Sequence, residues 1–285
     1  MRDPYIAVLP YGYSLGPQVA QIPLATLHWP LGVPGGLAGI VADLGPQDHL
    51  LVFPKTSMHL KWNWGTRAKI SLLVVEPRVI HARHLRALRL THRRFHRVFT
   101  HDAATLARLP NAQFLPAAVT WVPDYATLDF GKTAEVSLIA SARRDTQGHQ
   151  LRHDVVDALR EEGLDVDVMG RGYAPFEQKH EGHAPYRFSV VIENVRADGY
   201  FTEKLIDALL CESIPIYWGA PDVDAHFDAG GLIACETLDE IMHAVRSSDS
   251  ARYDQMRPAL MRAKTKAEGL RDYQVLAAKV LRSER

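Results

Sequence analysis

The chain has 285 residues, 47% hydrophobic and 23% charged, and its 33 basic and 33 acidic side chains cancel to a formal net charge of zero. This composition argues against a disordered, fibrous or membrane-embedded chain, and the zero balance removes any global pull towards nucleic acid or acidic membrane while leaving a local basic surface open. The length exceeds the roughly 100 to 200 residues of a usual single domain, so two medium domains or one large one are expected. The opening MRDPYIAVLPYGYSLGPQ does not read as a signal peptide, and no run approaches the roughly 20 apolar residues of a membrane span. Cys211 and Cys235 lie in contexts that suit buried free thiols, so a cytoplasmic location is the simplest expectation.

In chain order, short apolar runs predict strands at residues 6–9, 50–53, 70–75, 98–100 and 114–115, with helices at 79–94 and 103–107 between them. A second series follows, with strands at 136–140, 166–169, 188–192 and 214–218 and helices at 152–161 and 203–211. Strands alternating with amphipathic helices are the pattern of α/β architecture with largely parallel sheets. The stretch VPDYATLDFGK, with a proline, a glycine and little periodicity, reads as a linker between an N-terminal half, residues 1–124, and a C-terminal half, residues 131–285. The last 30 residues read as a basic helix, either solvated or available for peripheral membrane contact.

The most informative segment is RFSVVIENVRADGYFTEKLIDALLCESIPIYWGAP, residues 187–221. Its first part predicts an inner strand ending at Glu193 and Asn194, and open α/β sheets bind ligands beyond the carboxyl ends of such strands. Thr202 is placed to cap a helix whose apolar face is Leu205, Ile206, Leu209 and Leu210. Lys204 then falls in the first turn, beside the positive end of the helix dipole. A cation there is mildly unfavourable unless an anion shares the site, although single lysines at helix starts are common. A second strand ends at Gly219-Ala220-Pro221, so two loops converge on one crevice.

These residues resemble the signature of the family 10 glycosyltransferases, the α-1,3/4-fucosyltransferases, which carry Phe-Glu-Asn-Ser, Tyr-x-Thr-Glu-Lys and Ile-Pro-Ile-Tyr-Trp-Gly in that order. The first element departs here, reading Ile192-Glu193-Asn194-Val195. The upstream SLIASARRDTQGHQLRHDVVDAL is similar to the family's preceding strand, loop and helix, and LLVVEPRVIH resembles its acceptor-side half. The resemblance implies an α/β GT-B fold of two Rossmann-like domains facing a central cleft, an N-terminal one for acceptor and a C-terminal one for donor. It implies transfer of a sugar, fucose first, from a GDP-sugar donor to a glycan hydroxyl, with inversion, and with no metal or other cofactor. It gives Arg152 and Lys204 to the donor diphosphate, Tyr200 and Glu203 to the ribose, Asn194 to a donor hydrogen bond, and Glu76 to the catalytic base. Glu76 also suits an acid at a helix start beside Pro77. The alternatives are a transferase of another nucleotide sugar, or a binding protein that has lost catalysis.

Other signals are weaker. Asp165-Val-Asp167 and Asp222-Val-Asp224 have a metal-binding spacing, but the first lies on an alternating strand and the second at a helix start. Histidines and arginines crowd residues 78–101, where His92 and His96 have the spacing of a metal pair but no acidic partner of the HExxH kind; a solvated basic helix is the default and an anionic acceptor the alternative. Nucleic acid is not expected, since aromatic residues are nearly absent from this stretch.

Overall fold

The computed structural model describes residues 2–284 apart from Trp62; Met1 and Arg285, the outer ends of the two expected halves, lie outside the described residues. The chain forms two compact units, Met1–Ala117 with Tyr273–Arg285, and Ala118–Asp272. The first opens with β1 (Ile6–Val8), β2 (His49–Val52), α1 (Ser57–Leu60), β3 (Lys69–Val74), α2 (Arg78–Thr91), β4 (Val98–Thr100), α3 (Ala103–Arg108) and β5 (Ala112–Phe114). These strands make one parallel sheet in the order β1-β2-β3-β4-β5. The central strands are buried on both faces, which is why they read as unbroken apolar runs such as LLVF and SLLVV.

The second unit contains β6 (Ala134–Ile139), α4 (Gln147–Glu162), β7 (Asp167–Met169), β8 (Tyr186–Ile192), α5 (Glu203–Leu210), β9 (Ile214–Trp218), β10 (Ile233–Ala234), α6 (Leu238–Arg246) and α7 (Ser250–Leu270). Its sheet is also parallel, in the order β10-β9-β8-β6-β7. Pro215 is tolerated inside β9 because it pairs with Ser189 on one side, while pairing with β10 begins only at Ile216. A core of Val136, Phe188, Val190, Leu205, Leu209 and Ile216 closes this sheet against its helices.

The division differs from the expected one at both ends. The stretch expected as a linker is fastened to the second unit. Val122 packs with Ala184 and Cys211, and Lys132 Nζ donates to the carbonyls of Ala184 (2.8 Å) and Cys211 (2.7 Å). The expected C-terminal helix is two helices. α7 stays with the second unit, where Lys264 pairs with Glu212 (2.8 Å) and Arg262 with Asp228 (2.7 Å). α8 (Tyr273–Ser283) returns to the first unit and buries Ala277, Ala278 and Leu281 with Ile6, Val8 and Phe99. Two of the basic side chains thought free for a partner are thus neutralised within the fold.

Candidate functional site

In the second unit β6 lies between β7 and β8, so successive connections leave it towards opposite sides. No single connection covers the carboxyl ends at such a switch, and a crevice results. A cavity of about 910 Å³ opens there, walled by the ends of β6 (Ile139, Ala140), β7 (Gly170) and β8 (Ile192, Asn194). Two glycines shape it. Gly170 has φ 111°, and a Cβ there would lie 2.2 Å from the Ala140 carbonyl oxygen. At Gly148 a Cβ would lie 1.7 Å from the Glu193 carbonyl oxygen, while the Gly148 N–H donates to the Asn194 carbonyl at 3.0 Å. The start of α4 is therefore pressed onto the end of β8.

That contact sets Arg152, two turns or less into α4, against the same strand end. Its Nε donates to the Ile192 carbonyl (3.1 Å), its terminal nitrogen reaches that carbonyl too, and a further bond runs to Asn194 Oδ1 (3.2 Å). Burial lowers the guanidinium's pKa, with Glu193, Glu203 and Tyr200 pulling the other way. On the facing wall Thr202 caps α5, accepting from the Lys204 N–H. Lys204 Nζ lies 2.9 Å from Glu203 Oε1, 3.1 Å from Thr202 Oγ1 and 3.5 Å from Glu193 Oε2.

Glu193 is fully buried and accepts both the N–H and the O–H of Thr202, each at 2.8 Å. Burial pushes its carboxyl above the ordinary range, opposed by Lys204 and Thr202. For Lys204 burial works against the ammonium, but Glu193 and Glu203 outweigh it and hold its pKa up. Burial likewise opposes ionisation of Glu203, yet Lys204, Lys179 and Thr202 together hold it below the usual carboxylate range. Glu193 thus acts as a buried anchor that fixes Thr202 and the root of Lys204, while Glu203 and Lys204 face the cavity.

Arg152, Asn194, Glu203 and Lys204, all singled out by sequence, share this cavity wall. Tyr200 is buried close enough to Arg152 to affect its charge. Glu76 lies in the first unit, exposed at the bend between β3 and α2. Sequence reasoning assigned no site role to Glu193, Lys179, Trp121 or His183. Lys179 sits on the cavity wall with no carboxylate in ion-pair range among the described residues; burial lowers its pKa, and its ammonium lies 5.5 Å from the Trp121 ring. It comes from the polar loop FEQKHEG, which has no periodicity to mark it.

His183 joins a buried hydroxyl chain. Ser137 Oγ donates to the Gly182 carbonyl (2.6 Å), and Ser189 Oγ lies 3.0 Å from Ser137, 2.8 Å from Ser213 and 3.0 Å from His183 Nδ1. With the Ser137 proton committed, Ser189 must donate to Ser137, so the proton shared with His183 resides on Nδ1. Burial keeps the ring neutral, and Nε2, which has no partner among the described residues, is left as an acceptor.

The Asp-x-Asp pairs are engaged locally: Asp167 accepts from the Tyr186 hydroxyl (2.8 Å) and Asp222 from the Gly199 N–H (2.8 Å). Among the described residues no three His, Cys, Asp or Glu side chains are grouped to hold a metal ion. No helix among them is long and apolar enough to cross a membrane.

Residues 131–247 match the family described as Glycosyltransferase family 10 (fucosyltransferase) C-term, a span holding every cavity residue named above except Trp121. The similarity to family 10 glycosyltransferases thus lies within the second unit, over 131–247. Within the chain, 57 residues are 44% identical to an α-(1,3)-fucosyltransferase of Helicobacter pylori, covering 20% of this chain and 12% of that relative. The match thus spans about an eighth of the relative's length. Among solved structures, an α1,3-fucosyltransferase crystallised with GDP-fucose superposes with a TM-score of 0.53 at 19% identity, over 82% of this chain and 78% of that one. The pneumococcal O-GlcNAc transferase GtfA, in complex with UDP and GlcNAc, gives 0.56 at 14% identity, over 85% and 57%. At these identities the superpositions show the fold, and that fold is GT-B, as the family 10 resemblance implies.

Proposed function

We propose that the chain is an inverting glycosyltransferase that moves L-fucose from GDP-fucose to a glycan hydroxyl, using a carboxylate base and no metal. The observation that carries this reading is the ring of Arg152, Lys179 and Lys204 about a cavity at the sheet's switch point. Side-chain cations there answer the charge that grows on a departing nucleoside diphosphate. Arg152 offers planar, bidentate donors to phosphate oxygens and Lys204 a point charge at a capped helix start. Asn194 hydrogen-bonds the donor beside them, and Tyr200 and Glu203 hold its ribose.

In the reaction, the acceptor oxygen forms its bond to the anomeric carbon as the bond to the β-phosphate oxygen breaks, and Glu76 takes the acceptor proton. The first unit supplies the acceptor site and Glu76; the second binds the donor. The two buried, unpaired thiols, Cys211 and Cys235, suit a reducing cytoplasm.

A single assay tests this reading. GDP released from GDP-fucose is followed with a panel of glycan acceptors in EDTA and then with manganese, and the product's anomeric configuration is read by NMR. Turnover in EDTA with inversion is expected; strict dependence on manganese, or retention, sinks the mechanism. A second reading, another nucleotide sugar, is favoured by the UDP complex of a transferase sharing this fold. Thermal shifts with GDP, UDP, ADP and CMP separate the two, because only a nucleotide that binds the folded chain raises its melting temperature.

A further inference from the structure

The outward face of α2 is used neither by the donor cavity nor by the fold. His81, His84, Leu85 and Leu88 are buried. At about 100° per residue the opposite side of the helix carries Val79, Arg83, Arg86 and Leu90, flanked by Ile80 and Arg89. Val79 is 67%, Ile80 55% and Leu90 89% exposed, so apolar side chains occupy the solvent face of the helix. Leu60, at the end of α1, adds a 68% exposed side chain nearby, since His59 before it hydrogen-bonds Thr91 at the end of α2 (2.9 Å).

The charge of this face is equally one-sided. Between Pro77 and His101 there are seven arginines and no aspartate or glutamate, in a chain of zero net charge. Arg78 is neutralised by Asp102 (2.6 Å) and Arg97 by Glu284 (2.7 Å). Arg83, Arg86, Arg89 and Arg93 have no carboxylate partner among the described residues. A solvated surface helix would intersperse acids with these cations and would not expose leucine, valine and isoleucine among them.

We propose that this face of α2 seats the protein on an anionic lipid surface, with Arg83, Arg86 and Arg89 at the headgroups and Leu90, Val79 and Ile80 at the headgroup boundary. Charge complementarity selects anionic lipid, and the interleaved apolar side chains select a bilayer over an acidic glycan, which offers them nothing to bury against.

The test is co-sedimentation of the full chain with phosphatidylcholine vesicles and with vesicles of phosphatidylcholine and phosphatidylglycerol mixed about 3:1. Partition to the mixed vesicles only is expected, weakened by salt. Arg86→Ser and Arg89→Ser should each lower it by about fivefold, from roughly 1 kcal/mol per cation near the surface. Leu90→Ser should lower it several-fold while leaving retention on a heparin column unchanged. All three positions are exposed, so unaltered thermal melting confirms that the variants fold. The proposal is overturned by failure to bind the mixed vesicles, by equal binding to phosphatidylcholine alone, or by a Leu90→Ser variant that partitions like the native chain. The last result, with heparin retention intact, identifies the face as a polyanion site.

Discussion

At the scale of single residues, the most informative group outside the donor cavity is a buried acid. Asp207 in α5 is fully buried; its Oδ1 accepts from the Thr120 hydroxyl (2.8 Å) and the Trp121 N–H (3.0 Å), and Oδ2 has no hydrogen-bond partner among the described residues. Burial pushes its pKa from 3.8 up to about 7. Between those two values the folded chain holds a proton that the unfolded chain has lost. The favourable contribution is therefore complete below about pH 4 and is lost as the pH rises through 7. A displacement of this size corresponds to roughly 4 kcal/mol. Asp207→Asn keeps the acceptor for Thr120 and Trp121 and removes the titration. Its melting temperature should vary less than that of the native chain between pH 4 and 7, and superimposable profiles would show that Asp207 titrates normally. No pattern in the sequence reveals this, because the burial of an acid at 207 depends on how residues 120–122 fold back over α5.

At the scale of elements, the strands were the legible part. Runs such as VFT and IPIYW are buried throughout and rich in β-branched or aromatic side chains, so their limits in the fold match those read from composition at 98–100 and 214–218. α4 was legible in its apolar half only. It starts at Gln147, five residues earlier than periodicity indicates, because Thr146 caps it through the His149 N–H and its first turn is polar and contains a glycine. That glycine carries a prediction. Gly148→Ala forces the start of α4 away from the Glu193 carbonyl, at a cost of about 1 to 3 kcal/mol for an overpacked contact. Arg152 moves with it. Gly163→Ala, at the other end of α4, is strained by its φ of 66° but meets open space. Urea denaturation should show both variants destabilised, whereas the GDP-induced rise in melting temperature should shrink only in Gly148→Ala. An unchanged response in Gly148→Ala would mean that α4 does not position the donor cations.

At the scale of the whole molecule, periodicity predicts helices well but does not say which sheet a helix will join. This is why α8 was assigned to the wrong half, and why a loop fastened by Lys132 and Val122 read as a linker. The same division gives a sharp expectation for the two proposed roles. Arg152, Asn194, Glu203 and Lys204 share one cavity in the second unit, whereas Glu76 belongs to the first. If Glu76 is the base, its carboxylate acts only when an acceptor hydroxyl is losing its proton, and removing it should leave donor binding alone. Glu76→Gln preserves shape and hydrogen bonding but cannot take a proton. It should therefore keep the native GDP-induced thermal shift and lower kcat by about 10²- to 10⁴-fold, the usual contribution of a general base. Lys204→Met should do the reverse in the first measurement, reducing the GDP shift, because it removes a cation from the donor cavity itself. A Glu76→Gln protein that turns over at the native rate removes Glu76 from the chemistry while leaving the donor site in place, and one that loses the GDP response places Glu76 in binding instead.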